Sequence, residues 1–234
     1  MNVDLAYVLG VYMSDGSAHR HAGNWIVSLT AIDKDFLEET LRAIEEVTDK
    51  TNTPIYPQDR DGRREMWKFS VYNKELVLLL WDFTDHKRRI PASILFGSIA
   101  EKLSFVAGVL DGDGFVSHSK NGQYQVGIVN TGDWAKDQLP GLLQSLGVKV
   151  TSVKTSWPNT QFNANKPIHK VHINVRSFVA SGGYSKIARK HERLESYYEQ
   201  HKDEFTDADK QRRYKRLKLV SPSETIGSYR AMPE

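Results

Sequence analysis

The sequence contains no cysteine, which excludes both a disulfide framework and a thiolate metal site. No apolar run reaches the roughly 18 residues that a membrane-spanning helix needs. The opening residues, with Asp4 close behind Met1, lack the charge order of a secretory leader. The chain is therefore expected inside the cell, with cytoplasm, nucleoid and organelle undistinguished. No glycine-rich loop ending in Lys-Ser or Lys-Thr occurs, so nothing calls for ATP. Charge of one sign is also scarce: the formal net charge is +3 over 234 residues. Its distribution is more telling. Residues 1–100 carry 12 Lys+Arg against 15 Asp+Glu, and residues 101–234 carry 20 against 14. The acids of the first half gather in 33–49, and the bases at 60–68, 87–89 and 210–218. Such clusters are either solvated surface or a footprint for a polyanion.

What is present is organised around Phe105-Val106-Ala107-Gly108-Val109-Leu110-Asp111-Gly112-Asp113-Gly114. A fainter copy, Tyr7-Val8-Leu9-Gly10-Val11-Tyr12-Met13-Ser14-Asp15-Gly16, lies 98 residues earlier. Aligned on Asp-Gly, both copies carry a glycine five residues before the Asp and a small residue just before it. Gly16 and Gly114 read as helix-ending glycines, which puts Asp15 and Asp113 at helix C-termini, where the macrodipole disfavours anions. Gly10/Ser14 and Gly108/Gly112 give each helix a smooth face on which a second helix can approach closely. Two such helices packed together would set two carboxylates side by side at the unfavourable ends of two dipoles. A divalent cation would relieve both penalties. A local rule broken twice in register marks a functional site.

The paired stretches resemble the motifs of LAGLIDADG homing endonucleases in the single-chain, two-repeat form. Val106 to Gly114 is a close match; the first copy departs at Met13, where the family often has an acid, and keeps its Asp-Gly. The resemblance implies an α+β fold of two pseudo-symmetric α-β-β-α-β-β-α repeats, motif helices at the centre, and an antiparallel DNA-facing sheet in each half. It places the first repeat in 1–99, the second in 100–206 and a basic C-terminal tail in 207–234.

Periodicity and turn signals give the same order. Residues 3–14 read as the first motif helix, then come strands at Ser17–His21 and Trp25–Ala31, a helix at Asp33–Thr48, strands at Thr53–Tyr56 and Met66–Tyr72, a helix at Lys74–Phe83 and a basic turn at Asp85–Pro91. The second half repeats this: helix Lys102–Leu110, strands Phe115–Ser119 and Tyr124–Val129 around Asn121-Gly122, helix Trp134–Leu146, strands Lys149–Thr155 and His169–Val175, then helices at Ser177–Ala180 and Lys186–His201. Nothing in 207–234 demands a fold.

The resemblance implies hydrolysis of both strands of a long asymmetric DNA duplex with Mg2+, leaving 3′ overhangs, by a monomer. Mn2+ or Ca2+ would fit the same site. A chain of this length spans about 20 base pairs at 3.4 Å each. The metal would be held by Asp15 and Asp113, with the carbonyls of Ser14 and Gly112. A lysine follows the third helix of each repeat in the family; here the matching choices are Lys87, with Arg88 a rival, and Lys186. The polar strand faces offer Asn24, Ser28, Thr30, Arg64, Lys68 and Ser70 in the first half. In the second they offer Gln123, Gln125, Lys154, Lys170, His172 and Asn174, side chains that can read base edges in the major groove. Gly10 and Gly108 are the expected helix-interface residues. A non-cleaving nucleic-acid-binding protein of the same fold, such as an RNA maturase or intron-splicing factor, is the alternative; retention of both motif acids favours the nuclease.

Other motifs fail. Asp111-Gly-Asp113-Gly opens like a calcium loop, but Phe115 and Gly122 stand where that loop needs an oxygen ligand and a glutamate. His191-Glu192-Arg193-Leu194-Glu195 lacks the second histidine of a zinc protease.

Overall fold

A computed structural model of the chain describes residues 1–49, 52–58, 65–157 and 166–220. The first repeat runs α1 (Val3–Met13), β1 (Ser17–His21), β2 (Asn24–Ala31), α2 (Lys34–Thr48), β3 (Tyr56–Gln58), β4 (Met66–Tyr72) and α3 (Lys74–Thr84). A short α4 (Ala92–Leu95) leads to the second repeat. That repeat comprises α5 (Ile99–Asp113), β5 (Gly114–His118), β6 (Tyr124–Asn130), α6 (Trp134–Asp137), α7 (Leu139–Ser145), β7 (Val150–Ser156), β8 (Ile168–Ile173) and α8 (Val175–Ala180). α9 (Ala188–His201) and α10 (Asp207–Val220) follow. Both sheets are antiparallel and have the same strand order, β1-β2-β4-β3 and β5-β6-β8-β7. The duplication read from two short motifs thus extends to the whole topology. No helix among the described residues is long and apolar enough to cross a membrane.

α1 and α5 are the axis. α1 is started by Asn2, whose side chain accepts from the Leu5 N–H at 2.7 Å. α5 is started by a capping box, Ser98 with Glu101. Residues 6–13 of α1 and 103–111 of α5 are buried on all sides, as befits central helices. A Cβ on Gly10 would stand 2.2 Å from the Phe105 carbonyl oxygen, and one on Gly108 would stand 2.3 Å from that of Tyr7. Only glycine admits so close an approach. One continuous core results, joining Phe36, Leu37 and Phe69 of the first half to Trp134, Leu142 and Phe178 of the second through the motif helices.

Three elements differ from the sequence expectation. Trp134–Leu146 is two helices, because Pro140 sits near the start of α7 and cannot donate into a continuous ladder. The strand expected at Thr53–Tyr56 is instead Tyr56–Gln58, paired with Met66–Lys68. Residues 207–220 form a helix: Arg213 is buried against Glu195, and the Arg216 guanidinium donates to the Leu146 and Ser181 carbonyls at 2.7 and 3.1 Å. Its composition hides this, because the helix is docked by arginines rather than by an apolar stripe.

Candidate active site

Each motif helix hands over directly to the first strand of its sheet, and the acids lie at that junction. α1 ends at Met13, and the Gly16 N–H bonds back to the Val11 carbonyl at 2.8 Å, closing the turn around Asp15. α5 runs on to Asp113 itself, and Gly114 is extended rather than left-handed. The two junctions abut: a Cβ on Gly112 would stand 2.2 Å from the Ser14 hydroxyl and 3.3 Å from the Asp15 nitrogen. The carboxylates therefore feel each other. Burial pushes the Asp113 carboxyl up to about 6, and the Asp15 charge pushes the same way. Burial also raises Asp15, against the pull of Lys190 and Lys87. Because the Asp15 side chain is exposed, its upward push is the weaker of the two.

Lys87 lies against the end of α1. Its ammonium donates to the carbonyls of Ser14, at 3.0 Å, and Gly16, at 2.6 Å, and stands 4.9 Å from the Tyr12 ring centroid. It is carried there by an unusual turn: Asp85, His86 and Lys87 have φ of 47°, 52° and 68°. Left-handed backbone at a residue other than glycine costs about 1–2 kcal/mol, so three in succession is a local expense with a purpose elsewhere. Arg88, the rival choice, is exposed and lies 4.0 Å from Asp85 on its own turn.

Lys186 occupies a different place. Its ammonium is 3.6 Å from Glu39 and 4.2 Å from the Tyr7 ring centroid, away from the acid pair. The lysine at the second motif end is Lys190, one turn further on. It is buried and donates to the carbonyls of Leu110, at 2.6 Å, and Asp111, at 2.8 Å. Burial brings its ammonium down to about 8. Lys87 and Lys190 are thus counterparts, each pressed on the carbonyls of one motif-helix end, where a cation offsets the dipole. The sequence reading missed Lys190, because its role depends on α9 (Ala188–His201) being docked on the end of α5.

Two further residues escaped the sequence reading. Asn130 donates its side-chain amide to the Asp113 carboxylate and is 3.4 Å from the Met13 carbonyl. Asp111 fills the seat that Met13 fills in the first copy; both are buried. It accepts from the Tyr7 hydroxyl at 2.9 Å, the Lys186 N–H at 3.0 Å and the Ser185 hydroxyl. Burial still raises it to about 6. Asp111 therefore ties the segment before α9 to both motif helices.

The strand faces follow the alternation of buried residues. In the first sheet Val27, Leu29, Phe69 and Val71 face the helices, leaving Asn24, Ser28, Thr30, Lys68 and Ser70 on the open face. Arg64 lies outside the described residues. In the second sheet Val126, Ile128, Val171 and Ile173 are buried, leaving Gln125, Lys170 and His172 open, with Lys154 paired to Lys170. The nearby Lys170 and Lys154 charges join burial in lowering His172, so these bases share one patch. Gln123 lies in the β5–β6 turn, its N–H on the Ser119 hydroxyl. Asn174 departs from its expected place: its side chain caps α8 by accepting from the Ser177 N–H at 2.8 Å.

Among the described residues no group of three or more His, Cys, Asp or Glu is arranged for a metal. Two carboxylates with the carbonyls beside them nonetheless suit a hard cation that takes its remaining oxygens from water and phosphate. Burial, joined by the Asp15 charge, raises the Asp113 carboxyl, and a cation at the two carboxylates would offset both effects. The residues present fit such an ion.

No family model matches the chain. An uncharacterised protein of Methanocaldococcus jannaschii is 27% identical over 148 residues, covering 62% of this chain and 55% of that protein, so the match spans about half the relative's length. The homing endonuclease I-ApeI of Aeropyrum pernix is 25% identical over 158 residues, 64% of this chain and 68% of that one. Among solved structures, I-DmoI in complex with DNA and Ca aligns with TM-score 0.55 at 16% identity, covering 84% of this chain and 100% of that one. I-WcaI bound to its DNA recognition sequence aligns with TM-score 0.51 at 13% identity, covering 94% and 87%. The chain has the two-repeat, single-chain LAGLIDADG fold, and its likeness in sequence and structure is to the homing endonucleases of that family.

Proposed function

We propose that the chain is a site-specific homing endonuclease, acting as a monomer, that hydrolyses both strands of an asymmetric duplex of about 20 base pairs with Mg2+ and leaves 3′ overhangs. The observation that carries this reading is the abutment of Asp15 and Asp113 at the ends of two glycine-apposed helices, each with a lysine on its end carbonyls, Lys87 half-buried and Lys190 buried. A bound Mg2+ would activate water, neutralise the phosphate and steady the leaving 3′ oxygen.

The chain's own residues supply the rest. Asp15 and Asp113 would hold the ion, with the Gly112 carbonyl and the Ser14 carbonyl, which also accepts from Lys87, beside them. Asn130 fixes the orientation of Asp113. Lys87 and Lys190, both lowered by burial, keep positive charge where the scissile phosphates would lie. The lower value of Lys190 lets it hold or release a proton near neutrality. The open faces of the two sheets, bearing Asn24, Ser28, Thr30, Lys68 and Ser70 on one side and Gln125, Lys154, Lys170 and His172 on the other, face the duplex. I-DmoI and I-WcaI, with the same fold, are seen bound to DNA, which supports this placement. The test is selection of cut sites from a randomised duplex library in Mg2+; recovery of one long non-palindromic site supports the proposal, and an uncut library refutes it.

A further inference from the structure

The connection after α3 is more costly than ending a helix requires. A single left-handed residue ends many helices, usually a glycine. Asp85 does so here, with the His86 N–H on the Trp81 carbonyl at 3.2 Å. The backbone then stays left-handed through His86 and Lys87. Aspartate and histidine tolerate this region better than most residues; lysine does not. The second repeat makes the matching connection with one left-handed residue, Gly182. The first uses no glycine and three such residues.

The turn is fastened from one point. Thr84, fully buried, accepts the Lys87 N–H on its hydroxyl at 3.1 Å and the Arg88 and Arg89 N–H groups on its carbonyl at 2.9 and 3.1 Å. The His86 ring lies 4.8 Å from the Trp81 ring, which is itself anchored to the Ala18 carbonyl. What this geometry achieves is visible only at its end, where the Lys87 ammonium reaches the Ser14 and Gly16 carbonyls.

We propose that the left-handed turn Asp85–His86–Lys87 is a positioning element that aims Lys87 at the first motif end, so that backbone conformation at residue 86, rather than the histidine ring, sets the lysine. This deepens the nuclease reading and rests on it for its consequence, cleavage of one of the two strands.

The test compares His86→Gly, which accepts left-handed backbone freely, with His86→Val, which resists it. Lys87 accessibility is measured first, by acetylation with an N-hydroxysuccinimide ester and mass spectrometry, which needs no DNA. The parent and His86→Gly are expected to protect Lys87 equally, with His86→Gly melting no lower. His86→Val is expected to expose Lys87 several-fold and to accumulate nicked duplex, the outcome also expected of Lys87→Met. Should valine unfold the chain, His86→Asn, another residue that accepts left-handed backbone, must match the glycine variant. Exposure of Lys87 in His86→Gly, or protection with cutting of both strands in His86→Val, overturns the proposal. A parent that cuts no duplex while keeping the protection pattern overturns the nuclease reading alone.

Discussion

Asn130 donates its side-chain amide to the Asp113 carboxylate, and no such donor stands at the matching place beside Asp15. The registers show why: Ser17 pairs with Ser28 and Phe115 with Gly127, so the first-sheet counterpart of Asn130 is Ala31. The hydrogen bond lowers an Asp113 carboxyl that burial and Asp15 raise to about 6. Cleavage should therefore fall away below about pH 6, as Asp113 takes up its proton. Asn130→Ala should move this acid limb upward by about one to two units, since a hydrogen bond to a charged group is worth about 1.5–3 kcal/mol. A pH–rate profile of both proteins checks this.

The same shift has a consequence for stability. A folded pKa of about 6, above an aspartate's ordinary 3.8, means that the folded chain binds the proton more tightly than the unfolded chain. Asp113 thus contributes stability at pH 4 that is lost as pH rises through 6. In the absence of divalent cation, Asp113→Asn should raise the melting temperature at pH 7, by the equivalent of up to about 3 kcal/mol. Added Ca2+ should stabilise the parent and leave this variant unchanged. Thermal melts at pH 5 and pH 7, with and without Ca2+, read both effects.

Lys190→Met should reduce cleavage by about 10²-fold or more, the usual worth of a positioned proton-transfer group. Lys186→Met should have a much smaller effect, because among the described residues the Lys186 ammonium lies against Glu39 and the Tyr7 ring. Single-turnover rates on the selected site separate the two. Equal losses would place Lys186 in the chemistry after all.

Gly108→Leu should lower the melting temperature and abolish cleavage together. A Cβ there meets the Tyr7 carbonyl oxygen at 2.3 Å and the Val11 nitrogen at 2.9 Å, so the helices must part. Overpacking costs about 1–3 kcal/mol or more, and parting the helices separates Asp15 from Asp113. A variant that melts and cuts like the parent would contradict the helix packing.

The parts of this molecule that were legible in its sequence are those with a local code. Alternating apolar residues pointed to β2, β4 and the open face of the first sheet, and the paired Asp-Gly stretches to the axis. Residues whose roles depend on distant partners were not legible. Lys190 is recognisable only once α9 is docked on the end of α5. Asn130 sits on a strand end that resembles any other until Asp113 is placed beside it. Asn174 reads as one more polar residue in a strand pattern, and only the start of α8 shows it to be a cap. Residues 207–220 lack an amphipathic stripe because two guanidinium groups, buried Arg213 and half-buried Arg216, make their contacts.

The proposed joint role of Asp15 and Asp113 as the cutting centre is tested most directly by incubating parent, Asp15→Asn and Asp113→Asn with the selected duplex in Mg2+ and measuring linear product alongside DNA binding. The parent should cleave both strands and both variants should lose that cleavage, with binding largely retained. Normal double-strand cleavage by either variant would contradict that role.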